Sequence, residues 1–450
     1  MASIKKRAVR GATWVLFGYG AQQMLRFVNN LILTRLLVPE FFGLMALATT
    51  LRMGLELFSD VGVNQSVVQS PRGEDPTFLN TAWTVQVIRG LILWGVCLAL
   101  TVPAANFYGD PNLLPLLPLV GFTTVLDGVR SNAFFTLNRR LEVGKLTMLE
   151  LGASVLGLVV MITWAWLSPT IWALALGGLA GTLCKTIGSY CFFKEPLPRW
   201  QLDRESLEEL ASFGRWIFVA AIMMFLAEQS DRLILAKLLP FSMLGVYTIA
   251  YTMANIPRKL LKRLSTKVIF PAISQNNGLP RAQLVRKIQR QRWPLLLGSG
   301  LGVAIFMAFG DLVILALYDD RYDQAAWMLP VLSVGIWFAV LFYTHSPALL
   351  AVGKPVYNAY SNFASLLVMA VGVPLAYTWG GLPWAIAIIS LSDFFPYLVS
   401  LYGLKQEQML CLRQDFLSTV FCVGMLGVML VLRYGADWGM PLDLMFETYY

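Results

Sequence analysis

Apolar residues run along this chain in long stretches, broken at regular intervals by clusters of Pro, Gly and charge. About 20 mostly apolar residues cross a bilayer as a helix, and runs of that length are neither strands nor ordinary soluble helices. Thirteen spans are predicted, over 12–33, 41–62, 81–103, 113–136, 146–167, 171–193, 214–238, 243–270, 293–317, 327–349, 357–378, 382–403 and 416–433. The loops alternate in charge. Lys5, Lys6, Arg7 and Arg10 precede the first span, and Arg139, Arg140 and Lys145, then Lys194, Arg199 and Arg204, then Arg281, Arg286, Lys287, Arg290 and Arg292 fall on the same side. The opposite loops, such as 106–111 and 319–323, are poor in base or acidic. Lys and Arg accumulate on the cytoplasmic side, so the N-terminus is placed in the cytoplasm. The first apolar run has no small-residue cleavage site and reads as a retained helix. Residues 203–213 mix acids with spaced Leu and Phe, the pattern of a short amphipathic helix on the membrane surface.

Composition agrees with this reading. Hydrophobic residues make up 57% of the 450 and charged residues 14%, where a soluble domain carries about 25% charge. The net charge of +9 then belongs to basic loops, not to nucleic-acid binding. The stretch Arg286–Arg292 reads as contact with anionic membrane lipids. Five cysteines without a C-x-x-C pair give neither a disulfide framework nor a zinc site. No metal or catalytic site is expected: His345 is the single histidine and reads as a packing or hydrogen-bonding residue. Asp319-Asp320-Arg-Tyr-Asp323 spells a diphosphate-metal motif but lies in an acidic outer loop, and Gly353-Lys354 lacks the rest of a phosphate loop.

The chain repeats itself at an offset of 202 positions. Between 31–51 and 233–253, Leu31, Ile32, Leu33, Leu36, Leu37, Gly43, Ala48 and Thr50 recur identically, and Trp14 falls on Trp216. Weaker echoes follow in order, among them Tyr108-Gly-Asp with Tyr318-Asp-Asp and Trp172-Ala-Leu-Ala with Trp384-Ala-Ile-Ala. Six spans repeat as six, both copies starting inside, which is a parallel repeat suited to alternating access. The expected fold is an all-α polytopic membrane protein with two pseudo-symmetric six-helix lobes around a central cavity, plus one or two C-terminal helices. The segments are an N-terminal lobe 1–195, a linker 196–213 with the amphipathic helix, a C-terminal lobe 214–404, and an additional helix and tail 405–450.

Gly11-Ala-Thr-Trp14, the stretch Leu31 to Gly43, Phe58-Ser-Asp-Val-Gly-Val63, Phe213-Gly-Arg-Trp216 and Gln229-Ser-Asp-Arg-Leu-Ile-Leu235 resemble the bacterial polysaccharide (Wzx-type) flippases. That family sits in the multidrug/oligosaccharidyl-lipid/polysaccharide exporter superfamily, and the resemblance covers nearly the whole chain. It implies an undecaprenyl-diphosphate-linked sugar as substrate, flipped for assembly of O-antigen, capsule or exopolysaccharide alongside polysaccharide polymerase machinery. No cofactor is implied beyond H+ or Na+ coupling. Family members often have fourteen spans, one more than here.

An ionisable group at the centre of a spanning helix costs about 2.5–3.5 kcal/mol on insertion scales, so each should face protein or a wet cavity. Arg26, Arg52, Glu56, Arg89, Asp127, Arg130, Glu150 and Lys185 are such groups in the first half, and Glu228, Asp231, Arg232, Arg258 and Asp393 in the second. Arg52 and Glu56 share a helical face, as do Asp127 and Arg130, so these residues either neutralise one another or line the pathway. Arg26 and Glu228 are equivalent in the repeat and suggest opposite charges facing across a shared cavity. A diphosphate suits the forked, permanently charged donor of arginine. Related lipid II flippases carry cavity arginines on the first, second and eighth spans, which by resemblance points to Arg26, Arg52 and Arg258. Ion coupling would need a carboxylate, with Glu56, Asp60, Glu228 and Asp231 as candidates. The alternatives are a drug or cation antiporter of the same fold, which the arginines disfavour, and a membrane enzyme, which the short loops disfavour.

Overall fold

The computed structural model describes residues 2–59, 62–140, 142–193, 195–274, 280–443 and 445, and every regular element among them is helical. The chain divides into two compact units, 1–225 and 226–450. The first contains α1 (Ala2–Leu36), α2 (Pro39–Phe58), α3 (Val63–Gln69), α4 (Pro76–Tyr108), α5 (Leu113–Gly128), α6 (Ala133–Arg139), α7 (Val143–Leu167) and α8 (Trp172–Cys191). The division falls within α9 (Arg204–Leu238), which is followed by α10 (Phe241–Leu264), α11 (Phe270–Ser274), α12 (Arg281–Leu317), α13 (Asp323–Ala351), α14 (Val356–Leu367), α15 (Val373–Leu391), α16 (Phe394–Gln406) and α17 (Leu412–Gly435). Each of the thirteen predicted spans lies on one of these helices or on a joined set of them.

Two details depart from the sequence pattern. The fourth span is broken: α5 and α6 meet at 58°. The segment 203–213 is not a separate surface helix, because its residues from Arg204 onward form the first turns of the 35-residue α9. The turn between the eleventh and twelfth predicted spans falls where expected, within 356–406, an apolar stretch of 51 residues that reverses direction in the middle. Gly380 (φ −142°, ψ 18°) and Gly381 (φ 70°, ψ −156°) break α15, and the conformation of Gly381 is open essentially only to glycine. The stretch folds back so that α14 packs on α16, with Ser361 Oγ donating to the Pro396 carbonyl at 3.3 Å. By length and composition, seven stretches among the described residues can cross a membrane, or eight with the bent α5–α6 pair; the hairpin makes one of them two.

Packing follows the repeat. In the first unit α4 lies on α5, α7 on α8, and α2 and α8 both on α5. In the second, α12 lies on α13, α14 on α16, and α10 and α16 both on α13. α13 is the core helix of its unit, with Trp327, Met328, Leu329, Ile336 and Val340 fully enclosed. It approaches α15 closely at Gly335, whose N–H donates to Ser390 Oγ at 2.8 Å. Large apolar side chains stay exposed along α4 (Leu91, Ile92, Val96, Val102) and α17 (Phe416, Val420, Val423, Val431), as a lipid-facing surface requires and a water-facing one does not tolerate.

α17 has no counterpart in the first unit, and two buried ion pairs hold it. Near its start Asp415 accepts from Arg292 of α12 at 2.8 Å, both side chains being 1–2% exposed. His345 Nε2 lies 3.1 Å from the same carboxylate and Tyr397 Oη donates to it at 3.2 Å, so His345 belongs to a packed polar network, as expected. Near the other end Arg433 pairs with Asp311 of α12 at 2.5 Å.

Ahead of α9 the chain runs as an extended strap along α4. The backbone N–H groups of Arg199, Gln201 and Asp203 donate to the side-chain oxygens of Asn80, Thr84 and Thr81, each at 3.1 Å. Trp200 meets Trp83 edge-on. The Ser206 hydroxyl and N–H both donate to Asp203, and with Arg72 nearby they hold its carboxyl below the usual carboxylate range.

Candidate functional site

The helices of the first unit that carry intramembrane charge turn it inward onto two adjoining cavities. One, of about 480 Å³, is lined by Gln22, Arg26 and Asn29 of α1, Asp127 of α5, Glu150 of α7 and Lys185 of α8. The other, of about 340 Å³, is lined by Glu56, Gln86, Arg89, Asp127 and Arg130. Asp127 faces both. The predicted charges of this half thus come together in one connected cluster of five cations and three acids.

Most of these charges are already engaged. Arg52 pairs with Glu56 one turn along α2. Arg89 donates to Ser59 Oγ at 2.9 Å, to the Glu56 carbonyl at 2.5 Å and to Gln86 at 3.1 Å, and so stitches α4 to the end of α2. Arg130 lies 3.4 Å from Asp127 and 4.7 Å from the Phe134 ring centroid. Lys185 sits 3.7 Å from Glu150 and 5.4 Å from the same ring. Arg26 differs. It is exposed to the cavity, its one hydrogen bond among those described is a long 3.5 Å contact with Gln23, and it makes no ion pair among the described residues. A guanidinium in that condition is open to an incoming anion.

The second unit holds a smaller cavity, of about 180 Å³, whose charged lining is Glu228, Arg232, Arg258, Lys259, Lys262 and Asp393. Arg258 pairs with Asp393, and Lys262 with Glu228. Arg232 donates to Gln229 at 2.6 Å and lies over the Tyr251 ring. Asp231 does not line this cavity: it is 1% exposed and accepts from Tyr247 Oη at 2.5 Å. Asp60 lies outside the described residues.

Two charged pairs escaped the sequence reading, Arg292–Asp415 and Arg433–Asp311. The signal was present in Asp311, an acid inside an apolar run, and in Arg433, a base at the end of the last one. Among the described residues no three His, Cys, Asp or Glu side chains group as a metal set.

A family model described as polysaccharide biosynthesis protein matches residues 32–326. The teichuronic acid biosynthesis protein TuaB of Bacillus subtilis (strain 168) is 21% identical over 88% of this chain and 82% of its own length. The succinoglycan biosynthesis transport protein ExoT of Rhizobium meliloti (strain 1021) is 24% identical over 78% of this chain and 70% of its own. Among solved structures, the lipid II flippase MurJ in an inward closed conformation superposes with a TM-score of 0.71 at 13% identity, covering 94% of this chain and 93% of that one. That likeness identifies the fold.

Proposed function

We propose that this chain, which belongs to the polysaccharide biosynthesis protein family, flips a polyprenyl-diphosphate-linked oligosaccharide from the inner to the outer leaflet of a bacterial plasma membrane by alternating access, for assembly of a surface polysaccharide. The observation that carries this reading is the cation-rich cluster of the first unit, with Arg26 exposed on a cavity of about 480 Å³ and held by no carboxylate among the described residues. A sugar and a diphosphate cannot enter about 30 Å of hydrocarbon unaided. A polar cavity with arginine donors shields them while the lipid tail stays in the membrane. The relatives' roles in teichuronic acid and succinoglycan synthesis support the same substrate class.

Within this proposal Arg26 and the Glu56-paired Arg52 are the diphosphate residues of the first unit, and Arg258 is the one belonging to the cavity of the second unit, each unit taken by itself. The N-terminus faces the cytoplasm, where the loops at that end are basic. Coupling to H+ or Na+ falls to a carboxylate among Glu56, Asp60, Glu228 and Asp231, of which Asp231 is buried and accepts from Tyr247 Oη. A cation antiporter would need acids in excess around the cavity, the reverse of the charge balance in the first unit. Deleting the protein and locating the sugar-lipid tests the assignment. Accumulation on the inner leaflet with loss of surface polysaccharide is expected, and a sugar-lipid still reaching the outer leaflet normally refutes flipping.

A further inference from the structure

The strap that leads into α9 turns its apolar side chains outward. Phe192, at the end of α8, and Leu197, Trp200 and Leu202 along the strap are each more than half exposed. Facing water, they would form an apolar patch of the kind that marks a protein or membrane contact. The inner side of the strap is polar. Its N–H groups at 199, 201 and 203 are taken up by Asn80, Thr84 and Thr81, and the Asn80 amide donates to the Gln201 side chain at 3.2 Å. An extended segment in water needs no such partners, whereas one lying against lipid must have its backbone donors satisfied by protein. The strap also lies on a face of α4 that continues into the lipid. Asn80, Thr84 and Ile88 stand one helical turn apart, and Leu91 and Ile92 follow after a further turn. Thr81 and Thr84 are buried beneath the strap, while Ile88, Leu91 and Ile92 are exposed. The strap thus covers the polar end of this stripe, and its outer side prolongs the lipid-facing surface of α4. Its charges are sorted in the same sense. Glu195 and Asp203 turn onto Arg140 and Arg72, whereas Arg199 is exposed and makes no ion pair among the described residues.

We propose that the strap is a membrane anchor whose partner is the anionic lipid surface at the end of the first unit that carries Arg139 and Arg140. Leu197, Trp200 and Leu202 enter the boundary between acyl chains and headgroups, and Arg199 holds an anionic headgroup. An indole, apolar in body and with one N–H, suits that depth, and a basic residue beside it is drawn to an anionic leaflet. The membrane-surface role expected of 203–213 therefore passes to the residues just before it. In 203–213 itself the apolar side is spent on protein, with Leu210 buried among Val63, Val67, Phe78 and Ala82. The anchor also has a fixed connection to α9. Asp203 and Glu205 both reach Arg72, so a strap held at the headgroups sets the level at which α9 starts. The inference does not depend on what the protein transports.

The test uses the full-length protein in nanodiscs of phosphatidylglycerol and phosphatidylcholine in equal parts. Leu197, Trp200 or Leu202 is replaced singly by the photo-crosslinking residue p-benzoylphenylalanine, with Ile92 of α4 as the lipid-facing reference and the exposed Glu208 of α9 as the water-facing control. After illumination, mass spectrometry identifies what each position has captured. Lipid adducts are expected at 197, 200 and 202 in yields like that at 92, and none at 208. With the crosslinker at 202, phosphatidylglycerol adducts should exceed those of phosphatidylcholine. Arg199→Gln should lower that excess about fivefold, the worth of one basic residue at an anionic surface. Missing adducts at all three strap positions, equal yields at 208, capture of a second copy of this chain in place of lipid, or an excess unchanged by Arg199→Gln each overturns the proposal. If none of the crosslinking variants folds, amide exchange over 199–203 of the wild-type protein decides. It should be slower in phosphatidylglycerol than in phosphatidylcholine nanodiscs, and equal rates overturn the proposal.

Discussion

Replacing Asp415 by alanine puts a number on the fastening of α17. The carboxylate accepts from Arg292 at 2.8 Å and Tyr397 at 3.2 Å, and has His345 Nε2 at 3.1 Å. Without it Arg292, 1% exposed, keeps among the described residues only the neutral acceptors Thr344 at 2.9 Å and Gln414 at 3.2 Å. Removing one partner of a buried pair costs about 3–5 kcal/mol, because the remaining charge stays out of water. At roughly 2–4 °C per kcal/mol for a unit of this size, the midpoint should fall by about 6–20 °C. The control is Glu208→Ala, which breaks the Arg204–Glu208 pair, 92% and 69% exposed, where at most about 1 kcal/mol is expected. Both variants are heated in the same detergent and followed by size-exclusion chromatography of the surviving folded peak. The double variant Arg292→Met/Asp415→Leu should recover most of the loss, since an apolar pair leaves no charge behind. An Asp415→Ala midpoint within about 2 °C of the Glu208→Ala midpoint would refute the reasoning.

Other outcomes follow from single residues. Arg26→Gln should lower appearance of the sugar-lipid on the outer leaflet by about ten- to a hundredfold, the worth of a charge-assisted hydrogen bond, with Arg26→Lys intermediate because it keeps the charge and loses the fork; equal rates for all three would remove Arg26 from the pathway. Gly335→Ala places a Cβ 2.3 Å from the Ser390 carbonyl and should cost about 1–3 kcal/mol, read as a lower melting midpoint; an unchanged midpoint would mean that α13 and α15 separate easily. The carboxyl of Asp203 is held down by Ser206 and Arg72. Its contribution is therefore complete above the ordinary carboxylate range and is lost as pH falls through the lowered value, below about 4. Amide hydrogen exchange over 199–203 should accordingly be faster at pH 3 than at pH 6 after correction for intrinsic rates, and Ser206→Ala should shift that loss of protection to higher pH.

The apolar runs carried most of the architecture. Even the turn between the eleventh and twelfth spans was legible, since Gly380 and Gly381 stand between 378 and 382 where the hairpin reverses. The bend between α5 and α6 was not legible, because Gly128, which ends α5, is one of many glycines inside the apolar runs and no local pattern marks it as a break. The fusion of 203–213 into α9 escaped because an amphipathic start and an apolar continuation share one helical period. Charges inside the runs stood out by their cost, which is why Arg26, Asp127 and Lys185 could be picked individually. Their partners were legible only one turn away, as for Arg52–Glu56. Arg258–Asp393, 135 positions apart, and Arg433–Asp311, 122 apart, depend on which helices become neighbours, and no local pattern encodes that.

The two arginine pairs on α17 also bear on how such a chain can change over generations. A stop codon ahead of Leu412 would delete Asp415 and Arg433 together, leaving Arg292 and Asp311 of α12 as orphaned charges in the interior of the second unit. At about 3–5 kcal/mol for each buried charge left without its partner, the shortened protein would lose much of its stability. Losing the last helix therefore requires prior substitutions at Arg292 and Asp311, each harmful while α17 is still present. Although it lies outside the repeat, α17 is entrenched.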